Sequence, residues 1–234
     1  MNSFDLTRLV ISIAAIIAML GVILNKFVFK NNPITTKFIA RTGLFSAISI
    51  VLYLVPFLKF SVPFFPFFLE FHFDEVPALI AGFAYGPLSG IFVILVKTIV
   101  KLPMSNTMMV GELADLIYST SFILPAALIY KYKHNIKGAL ISLLIASLIQ
   151  ILVSSLVTSF LILDFYIFMM GWPKSVILAA CQAANKNVTS LGWTFFFLVG
   201  VPFNAMKDAV VVVITFLLYK RLHRVIDRIG AQKN

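Results

Sequence analysis

Lys97, Lys101, Glu112, Asp115, Asp164, Lys207 and Asp208 all fall inside stretches of otherwise apolar sequence. A charge in such a stretch is costly, so these residues either pair with one another or serve a ligand or an ion. Glu112 and Asp115 are three residues apart, which puts both carboxylates on one face of a helix. Asn204 and Lys207 repeat the spacing further along. Brought together, the two faces would line one polar pocket near the outer surface, with acceptors on one side and an amide and an ammonium on the other. The simpler alternative is that Lys97, Glu112, Asp115 and Asp208 only neutralise one another, and spacing alone leaves both readings open.

Three other patterns bear on chemistry. In Glu70-Phe71-His72-Phe73-Asp74-Glu75, polar and aromatic residues alternate as they do in an extended segment, which suits a lip of Phe side chains over an apolar ligand. Glu70, His72 and Asp74 could ligate a metal, but one His with carboxylates is a weak signature. Gly43 and Ala47, four apart, form a small-residue face on which another helix could pack closely, and Thr42 and Ser46 would make that face more polar. Packing within the same bundle would need the same spacing. Catalysis finds no support: the chain has no HExxH, no G-x-S-x-G, no Walker A loop and no Gly-rich dinucleotide fingerprint. It cannot hydrolyse ATP, so energy for active transport would come from a partner.

The elements that must carry these residues are membrane helices. The chain is 61% hydrophobic and 12% charged, with a mean hydropathy of +1.01, far outside the range of a soluble domain. Apolar segments are expected at 6–29, 38–58, 87–102, 110–130, 136–163 and 191–221, with a short helix at 77–85, a Phe-rich loop at 59–76 and a mixed stretch at 164–191. The first segment is too long for a secretory signal and is read as a retained helix. The net charge of +10 does not indicate nucleic acid, because the basic residues gather at segment ends. Lys26, Lys30, Lys37 and Arg41, then Lys131, Lys133 and Lys137, then Lys220, Arg221, Arg224, Arg228 and Lys233 fall on one side of the threaded chain. That side is expected to be cytoplasmic, with the N-terminus outside and the C-terminus inside. The single Cys181 permits no internal disulfide.

Four motifs now carry a resemblance. Residues 66–80, Pro-Phe-Phe-Leu-Glu-Phe-His-Phe-Asp-Glu-Val-Pro-Ala-Leu-Ile, and Tyr85-Gly86-Pro87-Leu88-Ser89-Gly90 resemble the signature of the riboflavin-specific S components of energy-coupling factor (ECF) transporters. Val110-Gly111-Glu112-Leu113-Ala114-Asp115 is similar to the start of that family's fourth helix, and Val201-Pro202-Phe203-Asn204-Ala205-Met206-Lys207 to its sixth. The similarity covers roughly residues 38–221.

The resemblance implies an all-α integral membrane protein of the cell membrane with a six-helix S-component bundle, 33–234; the apolar first segment, which lies outside the resemblance, is expected to add one extra N-terminal transmembrane helix, 1–32. The resemblance also implies capture of a vitamin, riboflavin, as transported ligand, with no cofactor of its own. Its partners would be a membrane coupling subunit and two cytoplasmic ATPases that use the ATP. Glu112, Asp115, Thr158, Asn204 and Lys207 would bind the vitamin, and Gly43 and Ala47 would contact the coupling subunit. The chain departs from the family in having Glu70-x-His72 and Asp74 where a Lys-x-Asp precedes Phe-Ser-Asp-Val-Pro, Asp115 and Thr158 for two Asn, and Asp208 for a Gly. The alternatives are an S component for another vitamin, or a stand-alone ion-coupled transporter using Lys97, Asp115 and Asp208 as a relay.

Overall fold

The computed structural model describes residues 35–231, with side chains up to Val225 other than that of Met169. The expected first helix, 6–29, lies outside the described residues. The chain divides into two compact units, Met1–Ile39 and Ala40–Asn234; the cavities and contacts described below belong to the second.

Helix α1, Thr36–Leu54, leads into a two-stranded hairpin, β1 (Phe60–Ser61) and β2 (Glu70–Phe71), paired antiparallel. Then follow α2 (Glu75–Tyr85), α3 (Pro87–Lys101) and α4 (Val110–Tyr132). Helix α5 (Ile136–Val157) passes through a wide π turn at Thr158–Ile162 into α6 (Leu163–Met169). After α7 (Lys174–Ala184), a single turn α8 (Trp193–Phe195) and a second π turn at Phe196–Gly200 open into α9 (Val201–Ala231). Five of the described helical segments are long and apolar enough to cross a bilayer: Thr36–Leu54, Pro87–Met104, Val110–Tyr132, Ile136–Phe168 and Trp193–Val225.

Helix α2 is the centre of the bundle, packed by α3, α4 and α9. At 11 residues it rises only about 16 Å, half a hydrocarbon core, and all but its last residue are buried. It can sit there because its sequence is apolar on every side except for Glu75, which finds buried partners. Gly86, at φ 98°, makes the reversal, a backbone state open to glycine, and Pro87 starts α3 at a position that needs no N–H. Gly90 is dictated by close packing: a Cβ there would lie 2.6 Å from Ile123 Cγ2 and 2.9 Å from the Ala78 carbonyl oxygen.

The sequence placed most helices within a few residues. It expected the short helix to begin at Pro77, whereas it begins at Glu75. The mixed stretch 164–191 proves more regular: α6 prolongs the preceding helix to Met169 and α7 fills Lys174–Ala184. Thr42 and Ser46 do not share the face of Gly43 and Ala47. They point into the bundle with Ser49 and Tyr53, Ser46 Oγ donating to the Thr42 carbonyl at 2.8 Å, while Gly43 and Ala47 lie on the exposed side.

Candidate functional site

A cavity of about 360 Å³ opens at the end of the bundle where α4 begins. Aromatic side chains form much of its wall: Tyr53 of α1, Phe67 and Phe68 before β2, Tyr118 of α4, Tyr166 of α6, Trp172, and Phe203 of α9. Phe68, Trp172 and Tyr166 pack ring against ring, with centroids 5.2–6.3 Å apart for the Tyr166 pairs. The polar wall holds Glu112 and Asp115 of α4, Thr158 of the first π turn, and Asn204 and Lys207 of α9. The structure therefore gathers all five side chains expected at the pocket around one cavity.

The π turns help to bring them there. A π turn inserts a residue, rotates the following face and leaves carbonyls short of donors, a recurring feature of functional sites. Asn204 Nδ2 donates to the Gly200 carbonyl at 2.9 Å, closing the second turn, and to Ser155 Oγ of α5 at 3.2 Å, so both N–H groups are engaged and its side-chain oxygen is what it can offer the cavity. Thr158 Oγ1 lies 2.8 Å from the Tyr118 hydroxyl.

Behind the polar wall lies a buried ionic network. Lys97 Nζ donates to Asp74 Oδ2 and to Asp115 Oδ2, both at 2.5 Å, and stands 4.5 Å from the centre of the Tyr53 ring. His72 Nδ1 meets Asp74 Oδ1, and its Nε2 lies 3.2 Å from Lys207 Nζ and 3.4 Å from Asp115 Oδ1. A carboxylate only accepts and an ammonium only donates, so Nδ1 carries the proton toward Asp74 and Nε2 accepts from Lys207. Lys207 Nζ also lies 3.7 Å from Glu75 Oε1, an oxygen that receives Ser119 Oγ at 3.1 Å and Gln150 Nε2 at 3.0 Å. Lys207 thus stands in the cavity wall, held from behind by a histidine and a carboxylate.

Mutual neutralisation of the charges is realised only in part. Lys97 does pair with Asp115. Glu112 instead accepts from Ser105 Oγ at 2.6 Å and Thr107 Oγ1 at 3.0 Å. These hydroxyls also tie down the rim before α4, where Met108 and Met109 adopt positive φ: Ser105 Oγ accepts from the Met109 amide at 2.8 Å and Thr107 Oγ1 from the Gly111 amide at 3.0 Å. Asp208 is fully buried, and neither of its oxygens has a hydrogen-bond donor among the described residues. Glu70 is drawn off by Lys59 at 2.6 Å, so it does not join His72 and Asp74, and among the described residues no three His, Cys, Asp or Glu side chains are grouped to hold a metal ion. Burial pushes the Cys181 thiol up to about 12, leaving it an unreactive part of the apolar cluster with Ile177 and Phe195.

Sequence spacing did not find Tyr53, Tyr118, Glu75, Ser119 or Gln150. The available signal was a lone polar residue in an apolar run, as at Gln150, which reads equally well as packing.

A bundle of bilayer-crossing helices around a half-length central helix, closed at one end by an aromatic-walled polar cavity, defines a membrane protein that binds a small ligand. The chain belongs to the family described as "ECF transporter, substrate-specific component", whose profile matches residues 37–219. It is 33% identical over 184 residues to "Riboflavin transporter RibU" of Staphylococcus aureus (strain TCH60), covering 79% of this chain and 90% of that one. It is 31% identical over 180 residues to "Riboflavin transporter FmnP" of Bacillus subtilis (strain 168), covering 76% and 88%. A solved structure titled "Structure and mechanism of the S component of a bacterial ECF transporter" superposes with a TM-score of 0.63 at 30% identity, covering 81% of this chain and 97% of that one.

Proposed function

We propose that this chain captures riboflavin and passes it inward as the substrate-binding partner of an ECF module. The observation that carries the reading is the cavity itself, in which Asn204 and Lys207 form a polar edge beside aromatic walls. Its volume suits a small molecule, for which pockets run roughly 300–1,000 Å³. One edge of the isoalloxazine ring alternates carbonyl, N–H and carbonyl. Lys207 donates to a carbonyl and the Asn204 side-chain oxygen accepts from the ring N–H, while Glu112, Asp115 and Thr158 take the hydroxyl-bearing chain. Phe and Tyr faces cover the apolar ring. Both named relatives are riboflavin transporters.

In this reading residues 33–234 are the vitamin-binding unit, the cavity faces outward and the basic end faces the cytoplasm, with the N-terminus outside and the C-terminus inside. Gly43 and Ala47 meet a membrane coupling subunit, and two cytoplasmic ATPases supply the energy. The test is a titration of the purified chain with riboflavin, whose fluorescence should be quenched at one ligand per chain. Absence of binding at micromolar riboflavin, with clear binding of another vitamin, would reassign the chain to a different substrate.

A further inference from the structure

A second hollow, of about 740 Å³, opens at the other end of α4, with Lys133, His134, Ile136, Lys137, Ile141 and His223 in its lining. Helix α4 has 23 residues, so this hollow is about 30 Å from the ligand cavity. Nothing in the vitamin-binding reading uses it. The clustering of Lys at this end satisfies the positive-inside tendency, but that tendency asks only for charge, not for a shaped site.

This site is shaped by specific contacts. Gly138 lets the chain fold back onto the first turn of α5, since a Cβ there would collide with the Lys133 carbonyl oxygen. Asn135, in extended backbone, accepts the Gly138 amide on its Oδ1 at 2.7 Å, while the amides of Ile136 and Lys137 find no acceptor among the described residues. The positive end of a 22-residue helix therefore opens beside two lysines. From the opposite side, the Tyr130 and Tyr219 hydroxyls, 2.9 Å apart, tie α4 to α9. His134 packs edge-on to Tyr130 with centroids 4.8 Å apart, and His223 follows one turn after Tyr219. His223 Nδ1 donates to the Lys220 carbonyl at 2.7 Å, and its Nε2 has no hydrogen-bond partner among the described residues. None of these lysines and histidines is in an ion pair with an acid among the described residues.

The floor of the hollow is apolar and continuous with the outside of α5. Ile136 and Ile141 are exposed, and the same helix goes on to expose Leu144, Ile145, Leu148 and Leu152 at the three- and four-residue intervals that make one stripe. A free anion would use the basic rim and leave that stripe bare. The geometry points to a binding site for one anionic phospholipid of the adjoining leaflet, its phosphodiester held by Lys133, Lys137 and the α5 amides and its acyl chains laid along the Ile141–Leu152 stripe.

Native mass spectrometry of the full chain in neutral detergent, with added phosphatidylglycerol or phosphatidylcholine, tests this. The expected result is retention of one phosphatidylglycerol in preference to phosphatidylcholine. Lys133→Gln with Lys137→Gln should weaken it about tenfold or more. Gly138→Ala keeps every charge but displaces Lys133 and should weaken it as well; if that variant also melts earlier, the charge pair decides. Lys220→Gln with Arg224→Gln, at the same end but outside the lining, should change little. Equal retention of phosphatidylcholine, or equal loss in the Lys220 and Arg224 pair, would mean diffuse surface charge and overturn the site. Displacement of the lipid by millimolar inorganic phosphate would make it a free-anion site and overturn the lipid assignment.

Discussion

Lys207 shows how one side chain can be both costly and useful. Its ammonium is almost fully buried, with one donor directed at His72 and a carboxylate, Glu75, 3.7 Å away. The remaining donor capacity faces a cavity that offers an uncharged ligand a strong, desolvated hydrogen bond. Lys207→Ala should therefore weaken riboflavin binding by roughly 1.5–3 kcal/mol, the worth of a hydrogen bond to a charged group, read as a fluorescence titration shifted about 10- to 150-fold. An unchanged dissociation constant would remove Lys207 from the site. The spacing of Asn204 and Lys207, and of Glu112 and Asp115, was legible because one helix carries each pair. The partners of Lys207 were not, because His72 is 135 positions away along the chain and only the fold brings it there. His72 itself was read as part of a lip; the strand-like alternation was right for β2 at Glu70–Phe71, but a period-two pattern says nothing about which ring nitrogen meets which charge.

At the scale of elements, the bundle depends on helices approaching closely at a few small residues. Gly90 is the tightest case at the centre, since a side chain would meet the Ala78 backbone at 2.9 Å, which cannot yield as a side-chain tip can. Gly90→Ala should destabilise the protein by about 1–3 kcal/mol, the usual cost of overpacking, seen as a lower melting temperature in detergent. Gly43 is the opposite case: a Cβ added there would meet nothing within 4 Å among the described residues. Gly43→Leu with Ala47→Leu should leave melting temperature and riboflavin affinity unchanged while reducing uptake in whole cells; full uptake at normal expression would withdraw α1 as the coupling helix. Apolar length and Pro-Gly punctuation located most of these elements. Helix α7 escaped because it is only 11 residues long and lies between Trp172-Pro173 and Asn185-Lys186-Asn187, whose polar and turn-forming residues resemble an irregular loop. The π turns left no sequence mark, as one inserted residue does not disturb an apolar run.

At the scale of the whole molecule, the described residues place a ligand cavity at one end of the bundle, and the sequence carries no Walker A loop. An ion relay through Lys97, Asp115 and Asp208 would need those groups to exchange protons or ions along a connected path. Lys97 is instead locked between two carboxylates at 2.5 Å and does not line the cavity. Asp208 is fully enclosed. Breaking the Lys97 pairs in each cycle would expose uncompensated buried charge, a cost of several kcal/mol. A binding subunit avoids that cost by keeping the network fixed and letting a partner supply the movement. Reconstituted alone in proteoliposomes, the chain should bind riboflavin yet accumulate none under an imposed proton or sodium gradient, and accumulation should begin only when the coupling subunit, both ATPases and ATP are added. Gradient-driven accumulation by the chain alone would show that the buried charges do move, and it would replace the coupled reading with a self-sufficient transporter.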